Sequence, residues 1–258
     1  MLRFENVCKK FGSRVFLDNV SFRINAGEIV AVVGPSGTGK SVTLKHFVGL
    51  LKPDSGKIFL GDEEISSASG KDLARIRQRF GYLFQSGALL GWLSVAENIA
   101  LPLREATKLK EDEIDARVAE ALSAVGLSDC ADLYPSEISG GMQKRAGLAR
   151  AIVCWCDSVL YDEPTSGLDP VTSSTINNLI KHLNVERSIT SIVVTHDISQ
   201  ALLFADKILM LKDSHVVAYC TPDEFVYSED LAVREFLAAQ FVTKESYKRM
   251  RDDYEKKQ

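Results

Sequence analysis

GPSGTGKS, residues 34–41, decides how the rest of this chain is read. It fits the pattern G-x-x-x-x-G-K-[ST] and lies between an apolar run, EIVAVV at 28–33, and a helix-like run at 42–51. Strand, glycine loop and helix in that order form a phosphate cradle. The glycines let backbone N–H groups converge on phosphate oxygens, and the positive end of the following helix strengthens the field there. Lys40 then reaches the β- and γ-phosphates, and the Ser41 hydroxyl is placed to ligate Mg2+. The stretch is read as a nucleoside triphosphate site. The loop alone does not say what the triphosphate is used for.

The 258 residues suit one α/β domain with insertions, or a large lobe and a small one. Hydrophobic content of 45% beside 26% charged residues is enough for a sizeable core in a globular protein. The formal net charge of −4 argues against a general nucleic-acid binder, which needs a basic excess. No apolar run approaches the roughly 20 residues of a membrane span. The opening MLRFENVCKKFG lacks the apolar stretch of a secretory leader. Cys8, Cys130, Cys154, Cys156 and Cys220 are odd in number and unevenly spaced, which points to reduced thiols in a cytosolic compartment. Cys154 and Cys156 have neither a second pair nor a nearby histidine to complete a metal site, and read as buried thiols.

Apolar patterning predicts short strands at 2–7, 20–24 and 29–33, with turns at 11–12 and 25–27. A breaker cluster at 52–56 precedes a further strand at 57–60. From 72 to 126 the character is helical; Ile114, Val118, Ala121, Leu122 and Val125 recur at helical spacing. Beyond 141 the pattern predicts helices at 142–153, 172–184 and 198–204. These alternate with strands at 158–161 and 191–195, and strands at 207–211 and 216–219 follow. Such alternation predicts a mostly parallel sheet covered on both faces. The mixed charges of 243–258 read as a solvated helix or frayed tail, or as an arm that grips a partner subunit.

SVLYDE at 158–163 ends a strand in two carboxylates. Asp162 is placed to hold Mg2+ through water, and Glu163 to orient and deprotonate an attacking water. Alone, the same letters also describe a strand that ends in solvated acids. Their pairing with ISGGM at 138–142, continued by Gln143, Lys144 and Arg145, resembles the LSGGQ signature of the ABC (ATP-binding cassette) ATPases. Other pieces follow in that family's order. Phe11 resembles the aromatic that stacks on adenine, and Gln85 the glutamine of the Q-loop. Ser166, Gly167, Leu168 and Asp169 look like the D-loop, and His196 like the switch histidine.

The resemblance spans essentially residues 2–237. It implies an α/β P-loop NTPase of the ABC ATPase type, with a mostly parallel sheet core, an N-terminal antiparallel β subdomain and an inserted helical subdomain. Residues 1–84 and 157–238 would form the catalytic core, 85–156 the helical signature subdomain, and 239–258 a charged extension. It further implies nucleotide contacts from Phe11, Gly34, Pro35, Ser36, Gly37, Thr38, Gly39, Lys40, Ser41, Val42, Gln85 and Asp169. Mg2+ would be held by Ser41, Gln85 and, through water, Asp162. Catalysis would fall to Glu163, His196 and Lys40. Ser139, Gly140 and Gly141 would reach the ATP held by a second copy, so that ATP closes a dimer and hydrolysis opens it. Ile138 replaces the family's leucine nearly isosterically. Met142 replaces its glutamine, which leaves the role of that position open.

A lone cassette without a membrane span would find its transport path in a separate permease. The apolar residues Leu89, Leu90, Trp92 and Leu93 either fill the helical subdomain or line a groove that receives a helix of that permease. FQSGALL, NIALPLRE and ISGGMQKRAGLARAI resemble the ATPase subunit of Mla-type systems, which work with a permease and an MCE-domain protein to move phospholipid. That resemblance implies a peripheral place on the cytoplasmic face of the inner membrane. The alternatives are a small-solute importer, such as one for polar amino acids, and a soluble cassette of iron–sulfur cluster assembly. No residue of the chain reads the cargo.

Overall fold

The computed structural model describes residues 1–256; the last two residues of the charged tail lie outside the described residues. Strands β1 (Leu2–Phe11) and β2 (Arg14–Ile24) form a hairpin, extended by β4 (Ser55–Leu60) and β5 (Glu63–Glu64) into an antiparallel sheet of order β2-β1-β4-β5. Both hairpin strands run longer than their apolar patterning predicts. Irregular registers between Phe4 and Val7, and again on either side of Lys9, break the alternation that would reveal them.

The second sheet has the order β10-β9-β3-β8-β7-β6. Its members are β3 (Ile29–Val33), β6 (Phe80–Leu83), β7 (Ser158–Asp162), β8 (Thr190–Val194), β9 (Lys207–Lys212) and β10 (His215–Cys220). β10 is antiparallel to β9 and the other pairings are parallel. The edge strand β6 interrupts the stretch read as helical. With only four residues, it is too short to show a period against the helices around it.

β3 is buried throughout, and its side chains divide the interior. Val30 and Val32 face the antiparallel sheet and α1 (Lys40–Phe47), packing with Phe4, Leu44, Phe47 and Ile58. Ile29, Ala31 and Val33 face the helical side, in one continuous cluster with Ile99, Val118, Leu148 and Ile176. These come from α3 (Val95–Ala106), α4 (Glu111–Ala124), α5 (Gly140–Ile152) and α6 (Pro170–Arg187). The short α2 (Gly70–Arg77), α7 (Ile198–Phe204), α8 (Pro222–Val226) and α9 (Leu231–Ala239) complete the cover. The helix α3 starts in a capping box between Ser94 and Glu97. One turn in, the buried Asn98 accepts from the Leu90 N–H at 2.7 Å and donates to the carbonyls of Leu90 and Leu93 at 3.0 and 3.1 Å, which fixes the loop that presents Trp92.

The charged tail forms α10 (Lys244–Glu255) and docks on its own chain. Tyr247 is buried, and its hydroxyl donates to Asp223 at 3.0 Å; Arg251 pairs with the same carboxylate at 2.6 Å. That guanidinium, with the tyrosine, holds the Asp223 carboxyl below the ordinary range. Tyr247 is the one α10 residue buried in the core, with Met250 partly buried beside it and Lys181 set over the Tyr254 ring, so Tyr247→Ala, which removes about 3 kcal/mol of local packing, should loosen the helix. Hydrogen exchange should then accelerate across 244–255 and leave β3 and β8 protected. Unchanged protection in 244–255 would place the anchor elsewhere.

Candidate functional site

The glycine loop leaves β3 and enters α1 at the carboxyl ends of the parallel strands, where open α/β sheets place their ligands. Gly34 has φ +139°, and a Cβ there would lie 2.0 Å from the Leu211 carbonyl oxygen, so only glycine fits beside β9. Gly39 occupies the N-cap of α1 in the left-handed conformation without a side-chain cap. The first N–H groups of the helix are therefore directed at the loop's hollow, the arrangement that binds phosphate. Pro35, Ser36 and Gly37 are exposed at the loop's crest, and the Thr38 hydroxyl donates to the Pro35 carbonyl at 2.8 Å.

Lys40 is buried and folds over the loop, donating to the carbonyls of Gly34 and Pro35 at 2.8 and 2.9 Å. Burial lowers the pKa of its ammonium, opposed by the nearby carboxylates of Glu163 and Asp162. Val42, next but one in the helix, packs on the core. From the hairpin, Arg14 donates to the Gly37 carbonyl at 3.0 Å and stacks over Phe16. Phe11 sits beside them with its ring partly exposed and edge-on to Phe16, centroids 5.4 Å apart. An aromatic face thus flanks the loop.

The acids arrive on β7. Ser41 Oγ donates to Asp162 Oδ1 at 3.0 Å, and the Tyr82 hydroxyl, from β6, approaches Oδ2 at 3.4 Å. Burial and the Asp162 charge push the Tyr82 phenol far up, so it stays a protonated donor. Glu163 follows with φ +50°, unusual for a residue with a side chain. Its Oε2 accepts from Gln85 Nε2 at 3.1 Å and lies 3.5 Å from His196 Nδ1. Gln85 also reaches Ser166 Oγ at 3.3 Å. The loop, the paired acids, Gln85 and His196 therefore meet at one sheet edge, though they are far apart in the chain.

The signature residues are turned to a different use within this protomer. Ser139 caps α5 by accepting from the Met142 N–H at 3.3 Å, and Gly140 and Gly141 open that helix. A Cβ on Gly141 would meet Thr172 Cγ2 at 2.6 Å, so the signature turn lies against the start of α6. Asp169 caps α6 through the N–H groups of Val171 and Thr172 at 2.9 and 3.0 Å; the Thr172 side chain and these amides hold its carboxyl below the usual range.

Motif reading passed over Arg14 and Tyr82, and placed Lys144 in the signature's continuation without a role. Lys144 Nζ donates to the Glu163 carbonyl at 3.2 Å from a buried position on α5. Its helical spacing from Leu148 and Ala151, both buried, was the available signal.

The ABC transporter family matches this chain over residues 17–166. The chain belongs to that family. It is 41% identical over 256 residues to the intermembrane phospholipid transport system ATP-binding protein MlaF of Haemophilus influenzae, covering 99% of this chain and 97% of that protein. A probable ribonucleotide transport ATP-binding protein, mkl, of Mycobacterium bovis is 44% identical over 236 residues, covering 92% of this chain and 66% of the relative. Among solved structures, the dimeric post-hydrolysis state of the ATP-binding cassette MJ0796 bound to ADP and Pi superposes with a TM-score of 0.79 at 35% identity. It covers 86% of this chain and 99% of that one. As an ABC ATPase the protein binds and hydrolyses ATP. No helix among the described residues is long and apolar enough to cross a membrane.

The contact between Gly34 and β9 sets how sharply the loop can bend. Gly34→Ala should weaken ATP binding by about tenfold or more, equivalent to roughly 1.4 kcal/mol, when fluorescent-nucleotide titration is compared with wild type. Equal affinities would show that the loop tolerates a wider bend.

Proposed function

We propose that this cassette pairs with a second copy of itself and drives a separate membrane permease that moves phospholipid between membranes, from the cytoplasmic face of the inner membrane. An MCE-domain protein would be the accessory subunit. The near full-length identity to the Haemophilus phospholipid transport protein is the observation that carries this reading. Pairing is supported by the dimeric state of the structural neighbour. It is also supported by the signature turn, where Ser139 and Gly140 are exposed at the start of α5. The relative named for ribonucleotide transport supports a second reading, with a nucleotide as cargo.

In the proposed mechanism the Glu163 carboxylate accepts the proton of a water as that water's oxygen attacks the γ-phosphorus. The bond from that phosphorus to the β–γ bridging oxygen breaks, with its electron pair leaving on ADP, and phosphate is released. Gln85 and His196 both approach the Glu163 Oε2, at 3.1 and 3.5 Å. Lys40 neutralises the β- and γ-phosphates, and the loop N–H groups receive the remaining charge. Phe11 stacks on the base, with Arg14 and Phe16 fixing its strand. Ser41 Oγ and Asp162 Oδ1 are hard oxygen donors 3.0 Å apart, a set that fits Mg2+. With Gln85 they would hold it, Asp162 through water. The ion supplies charge neutralisation at the phosphate oxygens.

Residues 85–156 act in this reading as the helical subdomain between the two parts of the catalytic core, with 239–258 as an extension. A groove of about 500 Å³ opens between β6 and α3, lined by Tyr82, Phe84, Leu101, Pro102 and Arg150. It is our proposed seat for a permease helix, with the exposed Trp92 on its clamped loop as a second contact. Leu89, named with Trp92 from sequence, packs on the core instead.

Glu163→Gln should bind ATP as wild type does, lose at least about a hundredfold in turnover and accumulate as an ATP-bound dimer in size-exclusion chromatography. Wild-type turnover would remove Glu163 from the role of base. Leu101→Asp with Trp92→Glu should abolish co-purification with a polytopic membrane protein while leaving ATP binding by the cassette intact. Lipid analysis of the wild-type complex tests the cargo: phospholipid-stimulated ATPase activity is expected, and stimulation by ribonucleotides alone would favour the second reading.

A further inference from the structure

Lys144 is a buried ammonium that the ATP site as described does not use. It lies on α5 four positions after Gly140, on the face that carries Leu148 and Ala151 into the core. A lysine is costly there: burial lowers its pKa, and the Glu163 charge is the counterweight. A structural residue in that place would be apolar. What Lys144 reaches is the Glu163 carbonyl oxygen, at 3.2 Å.

That carbonyl belongs to the most constrained peptide of the site. Glu163 has φ +50°, and Pro164 follows it. A residue before proline is disfavoured in the right-handed helical region, so relaxation would carry Glu163 toward an extended conformation and swing its carboxylate away. Three hydrogen bonds oppose this. The Glu163 N–H donates to the Val194 carbonyl at 2.9 Å, from β8; the Ser166 N–H donates to the Glu163 carbonyl at 3.2 Å within the turn; and Lys144 holds the same oxygen from α5, the one contact of the three made by a side chain. Further along the same helix, Arg150 donates to the carbonyls of Gly87 and Ala88 at 2.8 Å each, two and three positions after Gln85. A Cβ on Gly147 would lie 3.0 Å from the Gly87 oxygen, so helix and loop are in close contact.

We propose that Lys144 is a positioning residue for hydrolysis: it pins the Glu163 backbone so that the carboxylate stays aimed at the attacking water, and it ties that aim to the position of α5. Movement of the segment at 87–88 is then passed through Arg150 and α5 to Glu163. The inference rests on the reading of Glu163 as the general base.

The test compares Lys144→Met, which keeps the stem and removes the donor, with Lys144→Arg, which keeps a charged donor. Steady-state ATP hydrolysis by the full chain should show kcat reduced about ten- to a hundredfold in Lys144→Met. The KM for ATP should stay within about twofold, and Lys144→Arg should recover most of the rate. In the Glu163→Gln background, Lys144→Met should cost nothing further. Should Lys144→Met fail to fold, Lys144→Gln is read by the same split between kcat and KM. Wild-type kcat in the neutral variant, or loss of kcat that arginine does not rescue, would overturn the proposal. The two readings fail separately. An active Glu163→Gln removes the base itself, whereas an inactive Glu163→Gln beside an active Lys144→Met removes only the positioning role.

Discussion

The parallel pairing of β3 with β8 on one side and β9 on the other is the constraint on which the rest of the molecule depends. Ile29 to Val32 are in register with Ser191 to Val194, and Val30 to Val33 with Lys207 to Met210. Held on both edges, β3 cannot slip by one residue without exchanging the side chains that face the two halves of the core. The same register delivers Gly34 against Leu211 and sets His196 just beyond β8, across from the end of β7. The site is therefore a consequence of sheet register before any polar contact is made.

Charge then refines what register assembles. Two carboxylates end β7 within reach of two buried lysines, Lys40 from the loop helix and Lys144 from α5, and the charges of both lysines are costly apart from those acids. Lys40 folds onto the carbonyls of its own loop, whereas Lys144 reaches from α5 to the Glu163 carbonyl. Tyr82 remains a neutral donor beside Asp162 because desolvation and that carboxylate both resist its ionisation. The acid side chains are thus met by Ser41 from α1, Tyr82 from β6, and Gln85 and His196 from the loops after β6 and β8. That arrangement suits a site which must receive a highly charged ligand and align a water.

The site was legible in the sequence to the extent that it lies in contiguous motifs. The loop at 34–41, the acids of β7, Gln85, Asp169 and His196 each stand at an element boundary, where residue type and strand pattern coincide, and the family match covers most of them. The contacts that were passed over come from elements whose signal is weak for a physical reason. β6 is a four-residue edge strand with only alternate residues fully buried, so Tyr82 carried no period. Arg14 belongs to a hairpin whose irregular registers hide its alternation. Lys144 resembles any charged residue after a signature until the helical face it shares with Leu148 is drawn. The tail illustrates the converse. Its composition reads as solvated, yet the buried Tyr247, the partly buried Met250 and the pairing of Arg251 with Asp223 dock it on its own chain.

The continuity of the helical-side core bears on how motion can reach the ATP site. Ile99, Val118 and Leu148 share one cluster with Ile29, Ala31 and Val33, so the helices do not slide on a polar interface when they shift against the sheet. Packed cores move as units with few discrete arrangements. A displacement of α3 or α5 must therefore be taken up where the chain is joined by hydrogen bonds and not by packing. Those joints are the Arg150 contacts to residues 87–88, the Gln85 contact to Glu163 and the Lys144 contact to its carbonyl. The last two meet at Glu163, a residue with an unfavourable backbone angle. With Glu163 as the base we propose, ATP would be hydrolysed only when the helices are correctly seated around that point.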